Sequence, residues 1–166
     1  MEFSSKRQIV SAGVKQAVLA EIYDLGEVET KFGIKDRCRF IYETTELKPG
    51  TNVPLTVMID FNKSWSNRSN LWKHVEATLG RNLTTEEQVR FTAHKLVGVN
   101  NLLTIVHRES GGNVYANITN ISPIMPGMTP INVSPHYVPY EEVLKLREER
   151  AAKEAERAAS ASPYVV

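Results

Sequence analysis

Apolar and polar side chains alternate along much of this chain, and the alternation marks out its strands. Over residues 14 to 25, VKQAVLAEIYDL, the positions Val14, Gln16, Val18, Ala20 and Ile22 fall at even spacings, which predicts a strand. Gly26 interrupts the pattern, and Val28, Thr30 and Phe32 resume it, so the glycine marks either a bend in one long strand or a hairpin turn between two. After Gly33, the run DRCRFIYETT points Cys38, Phe40 and Tyr42 one way and Arg37, Arg39, Ile41 and Glu43 the other. Lys48-Pro49-Gly50 reads as a turn, and PLTVMIDF follows as a third strand, with Leu55, Val57, Ile59 and Phe61 opposite Thr56, Met58 and Asp60.

The period then changes. NRSNLWKHVEATLG sets Leu71 or Trp72 against Val75 and Leu79 at helical spacing and stops at Gly80, an amphipathic helix with a glycine cap. Thr84-Thr85-Glu86-Glu87 is a capping box that predicts a second helix through Val89, Ala93 and Leu96 to Gly98. LLTIVHRE and VYANITNIS, joined across Ser110-Gly111-Gly112-Asn113, form a hairpin signal. The order is three strands, a helical insert and two strands. It predicts a mainly β domain with a helical insert (α+β), and it is the connectivity of a five-stranded OB-fold-like Greek-key barrel with helices between strands 3 and 4. A Greek-key sandwich or an unrelated α+β sheet shares the order. The domain is placed at residues 14–122, after a flexible N-terminus at 1–13 and before a Pro-rich uncharged arm at 123–139 and a charged helical or disordered tail at 140–166.

Composition narrows the function classes. The chain has 166 residues, a formal net charge of +1 and one cysteine, Cys38, which alternates with Phe40 and Tyr42 and reads as a buried structural thiol. One thiol makes no intramolecular disulfide or Cys-based zinc site and fits a reducing compartment. With no signal-peptide pattern and no apolar run long enough for a span, the expected location is the cytoplasm, away from the membrane, and sequons such as Asn67-Arg68-Ser69 are read as chance. The three aspartates, Asp24, Asp36 and Asp60, lie on or beside different strands, and the four histidines show no metal-ligand spacing. No phosphate-cradling glycine loop occurs. Neither catalysis, nor a cofactor, nor a metal is expected.

Charge is uneven along the chain. From Phe61 to Arg108 seven basic residues face three glutamates, whereas from Asn113 to Pro139 the only titratable side chains besides tyrosine belong to His136. Cations that replace counterions along phosphates, together with aromatic faces on which bases stack, are the ingredients of a single-strand surface. Lys31, Lys35, Arg37 and Arg39 share the region of the second strand; their ordinary reading is a charged outer face, with Glu27, Glu29 and Glu43 interleaved. Lys63, Trp65 and Arg68 sit together in a polar loop, where the indole is set either to stack bases or to tuck into a satellite core. Tyr115 on the last strand offers a second ring, and Lys73 and Arg81 add positive potential. Trp72, near Val75 and Leu79, reads as core.

KSWSNRSNLWK at Lys63 to Lys73, LGRNLTTEE at Leu79 to Glu87, LVG at Leu96 to Gly98 and LTIVHRESGGNVYANITNISPIMPG at Leu103 to Gly127 together resemble a family of small bacteriophage proteins associated with replication and recombination genes. IYDLGEVETKFG at Ile22 to Gly33 and FIYETTE at Phe40 to Glu46 fit the same pattern. That family is generally regarded as OB-fold single-stranded-DNA-binding proteins. The resemblance implies non-enzymatic, largely sequence-independent binding of single-stranded DNA, with replication or recombination proteins as partners. Many single-strand binders end in an acidic tail with a Pro-Phe-type tip, whereas SASPYVV here has no acid, which favours a solvated spacer over a recruiting tail. The alternative is a protein-interaction module that meets a phage or host partner through the barrel or the arm. The exposed strands and the arm are also candidates for self-association.

Overall fold

A computed structural model describes residues 8–160. The first strand, β1 (Gly13–Thr30), continues through Gly26, which takes φ +68° where the pairing with the next strand shifts register, so the glycine is a bend and the hairpin turns at Lys31-Phe32. β2 (Gly33–Leu47) and β3 (Pro54–Asn62) follow, then α1 (Asn70–Leu79), α2 (Thr85–Val89) and a single 3-10 turn at Ala93–Leu96. The second helix is thus shorter than the capping box and its apolar spacing predict. Its box forms as expected, but Arg90 leaves helical geometry at φ −137° and ends it. β4 (Asn100–Ser110) and β5 (Asn113–Pro123) make the expected hairpin, and α3 (Tyr140–Ser160) closes the described chain. The end of the predicted tail, from residue 161, lies outside the described residues, as do residues 1–7 of the predicted flexible N-terminus.

The five strands form one antiparallel sheet in the order β3-β2-β1-β4-β5. β1 is central because its length lets it pair β2 along most of its course and β4 at its N-terminal end. The sheet's two edges, β3 and β5, approach each other without joining the hydrogen-bonded ladder, and α1 packs against both. The core fills one side of the sheet: Leu19 from β1, Phe40 and Tyr42 from β2, Val57 and Phe61 from β3, Val75 from α1, and Leu103 and Ile105 from β4. Alternation therefore chose the right faces of β2 and β3. His74 of α1 enters this core, its ring edge-on to Phe40 and its Nε2 2.7 Å from the Tyr42 hydroxyl. Gly80 caps α1 at φ +70°, and a Cβ there would lie 2.5 Å from Pro123 Cγ, so the cap also lets β5 pass close by.

Two segments expected to be mobile or free are docked. Val10 is fully buried, and Ser11 gives its backbone N–H and hydroxyl to Glu46, so the flexible N-terminus does not extend to residue 13. The arm crosses the other side of the sheet as a strap. Asn100 exchanges hydrogen bonds with the Ile131 backbone, Gln16 donates to Thr129 O, Ser134 N–H donates to Glu43, and Tyr137 O–H and Tyr140 N–H both donate to Glu21. Ile41 and Glu43, expected on a solvated outer face, are buried; only 3% of Glu43 is exposed. This burial raises the Glu43 carboxyl pKa, partly offset by the Ser134 amide.

Candidate functional site

A cleft of about 1190 Å³ is lined by residues of both unpaired sheet edges, by β2, by the end of the strap and by the first turns of α3. Its lining carries five cationic side chains, Arg37, Arg39, Lys48, Arg108 and Arg147, against two carboxylates, Glu43 and Asp60. Arg39 and Asp60 satisfy one another through a two-pronged pair at 2.7 and 2.8 Å, and Arg39 also donates to the Tyr140 hydroxyl at 2.6 Å. That pair anchors α3, whose Tyr140 ring packs edge-on against Tyr23. With it set aside, Arg37, Lys48, Arg108 and Arg147 leave the cleft positive. Tyr115, 39% exposed on β5, puts an aromatic ring in the same lining. The volume exceeds the usual range of small-molecule sites and suits an extended chain.

The sheet brings Arg37 and Arg39 of β2 to the same cleft as Tyr115 of β5, which is far from them in sequence. Lys31 and Lys35 are exposed at the β1–β2 hairpin, where the Lys31 ammonium lies 5.3 Å from the Phe32 ring centroid. Phe32 is 77% exposed and Ile34 68%, a cation-flanked apolar tip that the sequence reading missed because Phe32 merely continued an alternation. The same reading missed Lys48, in the Lys-Pro-Gly turn, and Arg108, beside the Ser110–Asn113 turn, as site residues; their adjacency to strand-end turns was the available signal. Arg147 carries none, since nothing local separates it from the other charges of α3.

The loop cluster differs from expectation. The Trp65 indole packs 4.6 Å from Trp72 and 5.4 Å from Phe91, centroid to centroid, and its N–H donates to Gln88 O at 2.9 Å. It is the satellite-core residue, half-buried because apolar partners surround it and a carbonyl satisfies its one donor. Lys63 does not offer an unpaired charge either: its ammonium lies 2.6 Å from Asp24 and 3.7 Å from Asp36. The Lys63 hydrogen bond, with the Gly26 amide, holds the Asp24 carboxyl below its ordinary range. Arg81 forms a two-pronged pair with Glu87, whose carboxyl it pulls down to about 2 with help from the Thr84 amide. Lys73 is exposed on α1, outside the cleft, and Arg68 shares a second hollow with Arg37.

Trp65→Ala is therefore expected to cost about 2 kcal/mol in stability, roughly half the loss of a fully buried aromatic, and to show as a lower urea midpoint. The salt dependence of any nucleic-acid binding should stay at the wild-type value. A variant with unchanged stability and weakened binding would return the indole to a contact role.

Burial raises the Cys38 thiol above its ordinary pKa, as expected of a structural cysteine. Among the described residues no three His, Cys, Asp or Glu side chains gather as a metal site, and no helix is long and apolar enough to cross a membrane. Neither a protein-family model nor a curated protein matches the chain.

Proposed function

We propose that the protein binds single-stranded DNA without turning it over, largely independently of sequence, in the positive cleft beside the unpaired seam, and serves phage replication or recombination. The cleft carries this reading: it is large, its surplus charge is cationic, and residues of both sheet edges line it. Phosphates neutralised there release counterions, and the lining includes the aromatic side chain of Tyr115. A central β1 pairing both β2 and β4, helices between β3 and β4, and edges that face each other support an OB-type barrel with one open seam. Arg108, beside the β4–β5 turn, lies in the cleft lining, whereas Lys31 and Phe32 belong to the exposed tip of the β1–β2 hairpin and are not among its lining residues. The likeness of Lys63 to Gly127 to phage single-strand binders points the same way.

The protein-interaction alternative receives less support. The uncharged arm it would present to a partner spends its polar groups on its own sheet. Anisotropy titration of fluorescein-labelled oligo-dT at low salt tests the proposal. Saturable binding, with oligo-dC bound comparably and duplex DNA more weakly, is the expected result, and no binding at low salt rejects it.

A further inference from the structure

We propose that the hollow between Arg37 and Arg68 is a phosphate subsite, which takes one phosphate of a strand lying in the cleft and draws that strand toward the start of α1. The inference rests on the single-strand reading above. The hollow measures about 320 Å³ and shares Arg37 and Asp60 with the cleft, so a chain in one can continue into the other. Arg37 reaches it from β2, its Nη1 donating to Asn62 Oδ1 at 3.1 Å, which uses one of the guanidinium's five N–H donors. Arg68 reaches it from the turn before α1 and has no ion pair among the described residues. The one carboxylate in the lining, Asp60, is already gripped by Arg39. Two guanidiniums thus face a hollow with no acid left to balance them.

The backbone reinforces that charge. Ser69 Oγ caps α1 by accepting from Trp72 N–H, while the N–H groups of Asn70 and Leu71, at the first helical positions, have no partner within the helix. The first turn of α1 contains no acid, in contrast to α2, which carries Glu86 and Glu87 there. An anion at this point gains from the helix dipole as well as from the arginines. The volume exceeds that of an inorganic anion and leaves room for an attached sugar. Two forked donors with a row of amides match the several oxygens of a phosphate better than the two of a carboxylate.

The test follows amide NMR signals of the full chain, first with inorganic phosphate against chloride at matched ionic strength, then with oligo-dT. The Ser69, Asn70 and Leu71 amides should shift with phosphate and with the oligonucleotide. In Arg68→Ala both responses should shrink, oligo-dT affinity should fall about fivefold at about 0.1 M salt, and the salt slope should decrease by about 0.7, with Arg68→Lys recovering part of each. Oligo-dT that binds while these amides stay still, or binds Arg68→Ala as it binds wild type, overturns the subsite and leaves the cleft reading standing. Amides that respond to phosphate in a protein that does not bind oligo-dT overturn both.

Discussion

Reversing two cleft charges, Arg37→Glu together with Arg108→Glu, is expected to weaken oligo-dT binding on the order of 100-fold at about 0.1 M salt. Each cation that neutralises a phosphate of a single strand adds about 0.7 to the salt slope, equivalent to about fivefold at 0.1 M relative to 1 M salt. Losing two such contacts accounts for about 25-fold, and the repulsion between two introduced carboxylates and the strand supplies the rest. Both side chains line the cleft and neither belongs to the core, so the unfolding free energy from urea titration should stay within about 0.5 kcal/mol of wild type. Arg81→Ala is the matched control. Arg81 is spent on Glu87 outside the cleft, and its loss should change affinity less than about twofold. A loss of binding free energy per unit charge removed that is the same for Arg81→Ala, which removes one charge, as for the cleft pair, which changes the charge by four, would show that binding follows net charge alone.

The second large effect concerns stability. Burial pushes the His74 imidazole down to about 4, against an ordinary value of 6.5. The unfolded chain therefore binds a proton that the folded chain refuses across that interval. Stability is complete above about pH 6.5 and falls as the pH drops toward 4, by about 3 kcal/mol in all and about 2 kcal/mol between pH 7 and pH 5. The ring Nε2 also lies 2.7 Å from the buried Tyr42 hydroxyl, and protonation leaves both ring nitrogens able only to donate. Asp24 and Glu87, whose carboxyls are lowered, lose their contributions only below the carboxylate range, and Glu43, raised by burial, works in the opposite sense. Urea unfolding at pH 7 and pH 5 should show the drop in wild type and a much smaller one in His74→Gln, which retains an oxygen acceptor without the titration. A wild type equally stable at both pH values would mean that the buried ring is not held neutral.

Much of this architecture was legible because the signals that define it are local. Alternation over Cys38–Tyr42 and Leu55–Phe61 selected the core faces, the Thr84 box started a helix and Gly80 ended one, and Ser110–Asn113 turned a hairpin. What escaped depends on chain segments meeting from a distance. Alternation groups Ile41 with Glu43 but does not say that the strap covers them, and nothing near Trp65 announces Phe91 as its neighbour. Lys63 looked unopposed because Asp24 and Asp36 reach it only once β1 and β2 have paired. The candidate site divides the same way. Arg37, Arg39 and Tyr115 were visible as residue types on strands, whereas Lys48, Arg108 and Arg147 joined them only when the two sheet edges and α3 came together.

The salt dependence of oligo-dT affinity tests the cleft most directly. Four cleft cations without a carboxylate partner among the described residues, Arg37, Lys48, Arg108 and Arg147, each neutralising one phosphate, give a slope of about −3 for the logarithm of the association constant against the logarithm of salt concentration. A slope near that value, falling toward about −1.5 when Arg37 and Arg108 are replaced by alanine, is the expected result. A slope near zero, or one that the alanine pair leaves unchanged, would contradict a strand lying in the cleft.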